Sequence, residues 1–315
     1  MKTKITQMLG IQHPVFQGAM AWIADAGLAA AVSNAGGLGI IAAGAAPTEI
    51  VRDEIRKAKG LTDKPFAVNI MLLNPNADEL AQLVIDEGVQ VVTTGAGSPA
   101  KYMEQWKQAG IKVIPVIAST AYAKRMERMG ADAVIAEGME SGGHIGDTTT
   151  MALLPQVIDT VSIPVIAAGG IADGRGLAAA RLFGAEGVQC GTVFLSAKEC
   201  NIAEQYKQMI YKAKDISTVV TGRASGHPVR SLKSPLSREL LKLEGHIETR
   251  TLEEIERITA GSLRKAVQDG NLQEGTFMSG QIAGLVKGDS DCSTIIEIMV
   301  QEAEAFLRNA PSLIG

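Results

Sequence analysis

Apolar and polar positions along the chain fall into two patterns, short β-branched runs and longer stretches with helical spacing. The apolar runs begin 21 to 31 residues apart, which leaves room for one helix and two short loops in each interval. Each run is nearly continuous in apolar residues, as expected for parallel strands buried on both faces. The eight predicted strands are VFQG (15–18), LGII (38–41), FAVNI (66–70), QVVTT (90–94), KVIPV (112–116), AVIAE (133–137), PVIAA (164–168) and GVQCG (187–191).

The intervening stretches carry the start and stop signals of helices. Predicted helices and their first-turn residues are 47–59 with Pro47, 98–109 with Ser98 as N-cap and Pro99, and 173–183 with Asp173 as N-cap. Glycines expected to end helices in the left-handed conformation are Gly110, Gly130 and Gly184. Eight strand–helix units in residues 14–191 favour a closed (β/α)8 TIM barrel of the α/β class. A doubly wound open sheet shares this local pattern and stays open as the alternative.

The rhythm of strand and helix stops after residue 192. The later segments are 195–214, helical; 217–245, irregular and basic; 252–269, helical; 275–285, a glycine-rich loop entering a helix; and 291–308, an amphipathic helix. We therefore predict a barrel over 1–195, a small and mostly helical cap over 196–290, and a C-terminal helical segment over 291–315 that returns to the barrel.

Composition narrows the class of protein. The chain has 315 residues, of which 46% are apolar and 20% charged, an ordinary globular composition. A net charge of −4 argues against nucleic acid as a partner. No signal peptide or membrane span is evident, so we expect a cytoplasmic protein. The three cysteines, Cys190, Cys200 and Cys292, are scattered and predict no metal site.

Glycines follow the seventh and eighth predicted strands, where TIM barrels often bind phosphate. Gly169 and Gly170 lie just before a helix start, so their amides could face an anion. The segment QCGT (189–192) places Gly191 after the eighth strand. Each glycine by itself is also compatible with a plain tight turn. Their joint position favours a phosphate site.

Special residues at other strand ends indicate that the phosphate belongs to a larger ligand. The first strand ends in GAM (18–20), the fourth in TTGAG (93–97) and the sixth in Glu137. Asn69 is a polar residue inside the apolar third strand, and it is either a satisfied core amide or a hydrogen-bonding partner of a heterocyclic ring. TTGAGSPA matches a dinucleotide-binding pattern only superficially, because the next strand ends without the acidic residue that would hold a ribose.

The loop after the sixth strand, AEGMESGGHIG (136–146), is the strongest local signal for chemistry. It contains Glu137, Glu140 and His144, with two glycines directly before the histidine. We interpret His144 as a general acid or a substrate-orienting donor, because it lies on a glycine-rich loop at the catalytic face of the barrel. His13 precedes the first strand, at the opposite face, and is interpreted as structural. His227 and His246 are not ranked.

A basic stretch lies within the predicted cap. Residues 222–242 carry five positive side chains against Glu239 alone, a local excess of +4: Arg223, Arg230, Lys233, Arg238 and Lys242. They form either a solvated face or a landing surface for phosphates or an acidic carrier protein. The sequence leaves both alternatives open.

Taken together, these residues resemble the flavin-dependent enoyl-acyl carrier protein reductase II family, a relative of the nitronate monooxygenases. The similarity spans essentially the whole chain. The stretches that carry it are PVFQGAMAWIAD (14–25), NAGGLGIIAAG (34–44), DKPFAVNIML (63–72), VVTTGAG (91–97), AEGMESGGHIG (136–146), PVIAAGGIADGRG (164–176), GVQCGT (187–192), GHPVR (226–230) and GQIAGL (280–285).

The resemblance implies a barrel that binds FMN and uses NADH or NADPH as electron donor, with His144 as the catalytic residue. Implied cofactor-binding residues are Gly18, Ala19, Met20, Asn69, Glu137, Gly142, Gly143, Gly169, Gly170, Gln189, Gly191, Thr192, Met278 and Gln281. Expected contacts to an enoyl-acyl carrier protein are Arg223, His227, Arg230 and Lys233. A monovalent cation and a homodimer are further expectations from the family. The alternatives are a nitronate monooxygenase and a flavin-binding protein without turnover.

Overall fold

A computed structural model of the protein describes residues 1–44, 46–245, 255 and 257–313. Its strands are β1 (Val15–Gln17), β2 (Gly39–Ala42), β3 (Phe66–Met71), β4 (Val91–Gly95), β5 (Lys112–Ile117), β6 (Val134–Glu137), β7 (Gly143–His144), β8 (Val165–Ala168), β9 (Gly187–Cys190), β10 (Thr218–Thr221) and β11 (Val229–Leu232). All eight predicted barrel strands are present, and no end differs by more than one residue from the prediction. The three others belong to a second sheet.

The eight parallel strands close into a barrel. Their order is β1-β9-β8-β6-β5-β4-β3-β2, and a parallel bridge between Phe16 and Leu38 joins the two ends of this series. The side chain of Gln17 completes the seam, because its Oε1 accepts from the Ile40 amide at 3.1 Å and its Nε2 donates to the Ile40 carbonyl at 3.3 Å. The TIM barrel prediction is confirmed, and the open-sheet alternative is excluded.

Helices connect the strands and cover the outside of the barrel. They are α1 (Lys4–Leu9), α2 (Ala26–Asn34), α3 (Thr48–Leu61), α4 (Ala77–Asp86), α5 (Ala100–Gln108), α6 (Thr120–Arg128), α7 (Thr150–Ile158), α8 (Gly174–Phe183), α9 (Glu204–Tyr211), α10 (Pro235–Glu244), α11 (Ser262–Asp269) and α12 (Cys292–Asn309). Short 3-10 helices occupy Thr192–Ser196, Gln281–Leu285 and Ala310–Leu313.

Most of the predicted helix signals are observed. Asp173 caps α8 by accepting from the Arg175 amide, and the three predicted stop glycines have φ between 76° and 101°. The prediction of Ser98 as an N-cap was wrong: Pro99 precedes α5, and the buried Ser98 hydroxyl has no hydrogen-bond partner among the described residues.

The barrel interior is filled by apolar side chains. We call this set the inner cluster; it contains Ile5, Leu9, Ile11, Phe16, Leu38, Ile40, Ala67, Val91, Ile114, Ala133, Ile135, Ile166 and Ala168. The first three members come from α1 and the residues after it, so this segment closes the amino-terminal end of the barrel. Alternate strand residues face outward and pack against the helices. The opposite, carboxyl end is therefore the open end of the barrel.

Helix α12 lies outside the barrel, packed on α8 and α2. Its Glu302 accepts a hydrogen bond of 3.1 Å from the Gly174 amide at the start of α8. The last helix is thus anchored beside the strands that carry Gly169 and Gly191. None of the described helices is long and apolar enough to cross a membrane.

The cap differs from the prediction in several segments. Residues 195–214 are not one helix, because the chain forms a 3-10 helix up to Ser196 and resumes helical structure only at α9. The stretch 217–245 is not irregular, since it contains β10, β11 and α10. Strands β10, β11 and β7 form an antiparallel sheet in the order β10-β11-β7. The predicted helix 252–269 begins outside the described residues, and its final part is α11. His246 also lies outside the described residues.

Candidate active site

The side chains on the inner face of the barrel change from apolar to polar at the carboxyl ends of the strands. Two-residue alternation places four polar side chains directly above the inner cluster, and we call them the polar layer: Asn69, Thr93, Glu137 and Gln189. Asn69 Nδ2 donates to Thr93 Oγ1 at 2.9 Å across adjacent strands. This contact satisfies only part of the hydrogen-bonding capacity of the Asn69 amide. The polar layer is the floor of the candidate site.

Glu137 is the ionisable member of the polar layer. It ends β6 opposite Ala168 of β8 and is partly buried. Burial raises the pKa of its carboxyl to about 7, and the nearby Ser141 hydroxyl opposes this shift. Glu137 therefore carries a proton in a substantial fraction of molecules at neutral pH, and can then donate a hydrogen bond.

Backbone amides without acceptors lie after β8 and β9. Those of Gly169, Gly170 and Gly191 find no hydrogen-bond acceptor in the part of the chain that the structure describes. Gly169 has φ +87°, and a Cβ atom there would lie 2.7 Å from the Gly138 carbonyl oxygen. At Gly191 a Cβ atom would meet only Met20, at 3.6 Å or more, so space is open beside it. Free amides with open space suit an anion.

The segment after β1 forms one wall of this space. The Gly18 amide donates to the Cys190 carbonyl at 2.9 Å, and a Cβ at Gly18 would press on the Gln189 side chain at 3.2 Å. Ala19 and Met20 follow, both partly buried. Cys190 itself packs in the outer core, where burial raises its thiol pKa to about 12. The contacts of Gly18 with Gln189 and Cys190 thus hold the end of β1 close to β9.

The loop after β6 is fastened to the loop after β8. The Glu140 carboxylate accepts from the Thr150 amide at 2.9 Å, at the amino end of α7. The Thr150 hydroxyl lies 3.0 Å from both Glu140 Oε2 and the Gly169 carbonyl oxygen. Glu140 therefore positions the loop after β6. The sequence pattern did not distinguish this structural role from a direct role in catalysis.

The cap closes over the same loop. A Cβ at Gly142 would lie 2.7 Å from the Ser279 backbone, so this glycine is required for close packing of the cap. A Cβ at Gly143, which has φ +78°, would lie 3.5 Å from the Met278 sulfur. The cap segment 278–281 is held by three hydrogen bonds: Tyr206 Oη donates to the Met278 carbonyl, the Gly280 amide to Thr192 Oγ1, and the Gln281 amide to the Glu140 carbonyl.

His144 lies on β7, paired with Val229 of β11. Its side chain reaches solvent, yet the surrounding atoms remove enough water that desolvation lowers its pKa. Repulsion from a positive charge on His227, an exposed residue just before β11, lowers it further. At neutral pH the His144 ring is therefore mostly uncharged, with one N–H donor and one acceptor.

Comparison with known proteins identifies the family to which the chain belongs. The family model for nitronate monooxygenase matches residues 2–302. The chain belongs to the nitronate monooxygenase family. It is similar to FabK from Thermotoga maritima, with 48% identity and a TM-score of 0.96 over 99% of each chain.

Curated relatives of the chain have different names. The chain is 36% identical to the (3aS,4S,5R,7aS)-5-hydroxy-7a-methyl-1-oxo-octahydro-1H-indene-4-carboxyl-CoA dehydrogenase of Mycobacterium tuberculosis, over 100% of this chain and 99% of the relative. It is 34% identical to the probable nitronate monooxygenase of Staphylococcus saprophyticus, over 98% of this chain and 99% of the relative. The family and its oxidoreductase class are shown, whereas the substrate has to be inferred from the site.

Of the four expected carrier contacts, Arg223, His227 and Lys233 are exposed, but Arg230 is not at the surface. Arg223 is exposed and pairs with Asp147 at 3.3 Å. Arg230 is buried, with 5% of its surface exposed, and donates to the Met139 carbonyl and to Thr218 Oγ1. Desolvation lowers the Arg230 pKa, and the negative charge of Glu140 opposes this shift. The two hydrogen bonds of Arg230 connect β11 to β10 and to the loop after β6. Lys233 is exposed beyond the end of β11.

Sequence reasoning missed several polar residues at the site. Thr93 lies in the strand end TTGAG (93–97) that the sequence singled out, but it was not named as a site residue, because threonine is common in strands. Gln17 was overlooked because its role at the seam depends on tertiary pairing. Buried hydroxyls without a hydrogen-bond partner among the described residues are those of Thr94, Ser98, Ser141, Tyr211 and Ser279. Whether a hydroxyl lacks a partner is visible only in the folded chain.

Proposed function

We propose that this protein is an FMN-dependent enoyl-acyl carrier protein reductase that uses NADH or NADPH as electron donor. The observation that carries the proposal is the similarity to FabK, 48% identical over 99% of the chain, against 34–36% for the curated relatives with other names. The resemblance of the sequence motifs to the enoyl-acyl carrier protein reductase II family supports the same activity.

The residues at the barrel mouth fit FMN. The free amides of Gly169, Gly170 and Gly191 would hold its phosphate, as anions are held by unpaired backbone N–H groups. The polar layer would offer hydrogen bonds to the polar edge of the ring, with Asn69 and Glu137 as donors. Met20 and Met278 would bound the site from the barrel and from the cap. When bound, FMN would supply the transfer of two electrons between the donor and the enoyl thioester.

His144 is the proposed catalytic residue. Reduction of an enoyl thioester places negative charge on the thioester oxygen and requires a proton at the α-carbon. The uncharged His144 ring can donate its N–H to that oxygen and thereby stabilise the charge. The backbone pairing of β7 with β11 fixes the position of the His144 ring, and Met278 of the cap lies beside the preceding residue, Gly143.

The test of this proposal is the variant His144→Ala. We expect its enoyl reduction to fall by about 10²-fold or more, while absorbance near 450 nm shows that flavin remains bound. His13→Ala is the matched control, since His13 lies at the closed end of the barrel, and its activity should stay unchanged. Equal turnover of the His144 variant and the wild type would contradict the assigned role.

Nitronate oxidation is the second candidate function. It is favoured by the family match and by the lowered pKa of His144, because an uncharged imidazole can accept a proton from a nitroalkane. The two functions differ in their acceptor. Under anaerobic conditions an enoyl reductase oxidises NADH or NADPH when a crotonyl thioester is added. In aerated solution a nitronate monooxygenase consumes oxygen when an alkyl nitronate is added. The substrate with the higher kcat/KM identifies the main activity.

A further inference from the structure

Trp22 has a strained backbone and an exposed ring at the open end of the barrel. It lies in the turn after β1, where the amides of Ile23 and Ala24 both donate to the Met20 carbonyl. Its φ is +67°, a left-handed conformation that bulky side chains rarely adopt, and 46% of its surface is exposed. Strain of this kind persists where a local function requires it.

Arg264 covers the face of this ring from the cap. Its guanidinium carbon lies 5.2 Å from the centroid of the Trp22 ring, a cation–π contact. Arg264 also donates from Nε to Gln268 at 2.7 Å, but it has no carboxylate partner among the described residues. The next residue behaves differently, because Lys265 pairs with Glu274 at 2.6 Å. Arg264 thus keeps donor capacity for an anion.

The pair lies beside the proposed cofactor site. Trp22 follows Met20, which bounds the space next to Gly191. Arg264 lies in the first turn of α11, and this turn contains no acidic residue. The start of α11 is joined to the segment before Met278, because the hydroxyls of Ser262 and Thr276 are 2.8 Å apart. The pair therefore joins the β1 loop to the segment that leads to Met278.

We propose that Trp22 and Arg264 form a subsite for an adenine nucleotide. The indole face opposite Arg264 stacks the purine ring, since 46% of the Trp22 surface is exposed and aromatic side chains bind any base through its π-face. The guanidinium binds the adjoining phosphate, for which its planar set of N–H donors is suited. Two candidate ligands contain an adenine nucleotide: the reduced dinucleotide donor, and a CoA thioester of the kind named in the Mycobacterium tuberculosis relative. The inference rests on the proposed function, because it assigns where the donor or the thioester is recognised.

Calorimetric titration of the flavin-loaded protein tests the subsite directly. ADP-ribose represents the dinucleotide, and adenosine 3′,5′-bisphosphate represents CoA. We expect Trp22→Ala and Arg264→Ala each to weaken binding of one of these probes by about 10-fold. Trp22→Phe should retain most of the affinity, since it keeps an aromatic face, and Lys265→Ala is the matched control that should bind as the wild type does. Flavin absorbance reports whether each variant is folded.

A kinetic arm separates the two nucleotide sources. If the dinucleotide binds here, KM for NADH rises about 10-fold in Trp22→Ala, while turnover with reduced nicotinamide mononucleotide, which lacks adenine, is unchanged. If CoA binds here, the increase appears instead with crotonyl-CoA and is absent with crotonyl-pantetheine.

The subsite is overturned if the wild type binds neither probe, or if the alanine variants bind both probes as well as it does. In either case Trp22 and Arg264 only hold the cap to the barrel. Probe binding that depends on Trp22 in a protein without enoyl reduction would support the subsite and reject the proposed function.

Discussion

The two ends of the barrel interior are built from the same strands but from different side chains. At the closed end, members of the inner cluster such as Ile40 and Ile166 are fully buried and apolar. At the open end, the polar layer has incompletely satisfied groups, and the glycine amides after β8 and β9 have no acceptors among the described residues. The apolar end thus buries hydrophobic side chains, and the open end offers hydrogen-bonding groups to a ligand.

The largest expected difference between the ends is in stability. Ile166→Ala removes a fully buried side chain from the inner cluster and should cost about 2–5 kcal/mol of unfolding free energy. Asn69→Ala in the polar layer removes one hydrogen bond, to Thr93, and should cost about 1 kcal/mol. Urea denaturation of the flavin-free protein measures both. Equal losses of unfolding free energy in the two variants would show that the polar layer stabilises the fold as much as the inner cluster does, and would contradict the proposed difference between the two ends.

The second difference between the ends is in pH dependence, and it rests on Glu137. Its folded-state pKa of about 7 lies above the ordinary 4.5, so the fold favours the protonated form. The contribution of Glu137 to the free energy of unfolding is largest below pH 4.5, where its carboxyl is protonated in both states. This contribution falls by ~3 kcal/mol as the pH rises from 4.5 to 7. Glu137→Gln should remove this loss and be more stable than the wild type above pH 7.

Glu127→Gln is a control for Glu137 with the opposite sign. Hydrogen bonds from Ser162 lower the Glu127 pKa, so ionised Glu127 stabilises the fold at neutral pH and its replacement should be destabilising there. Urea denaturation of the flavin-free variants at pH 5 and pH 8 gives both differences. A Glu137→Gln variant whose stability falls with pH as steeply as that of the wild type would show that Glu137 is not buried in its protonated form.

The sequence predicted the barrel well because its signals are local. Runs of apolar residues mark the strands, and glycines such as Gly110 and Gly184 end helices through a conformation that glycine alone adopts freely. The predicted helical stretch 195–214 failed because Ala197 and the residues up to α9 leave the helix to contact the cap and the final segment of the chain.

Other features of the candidate site depend on contacts between distant segments. Strands β10 and β11 were missed because they are stabilised by each other and by the two residues of β7. Arg230 was assigned to a basic surface, but the same sheet carries it into the interior. Trp22 gave no local signal, since a left-handed tryptophan is imposed by its surroundings. Residue type therefore indicated where the site lies, and tertiary pairing decided which side chains reach it.

The smallest expected effect on stability gives the sharpest test of the difference between the ends. Gly169 and Gly110 both have left-handed backbones, with φ of +87° and +76°, but they lie at the open and the closed end of the barrel. Alanine at either position should cost roughly 1–2 kcal/mol through the same backbone strain. At Gly110 a Cβ meets nothing within 4 Å, whereas at Gly169 it approaches the Gly138 carbonyl oxygen.

The two glycine variants should therefore differ in flavin binding. Gly169→Ala moves the amide proposed to hold the phosphate, so the affinity of this variant for FMN should fall. Each 1.4 kcal/mol of lost binding free energy corresponds to about a 10-fold weaker affinity. Gly110→Ala, which has the backbone strain without the close contact, should bind FMN as the wild type does. Titration of flavin-free protein with FMN, followed by flavin fluorescence, measures this difference. Equal affinity in both variants would mean that the phosphate is not held after β8, because displacing the Gly169 amide would then have no effect on FMN binding.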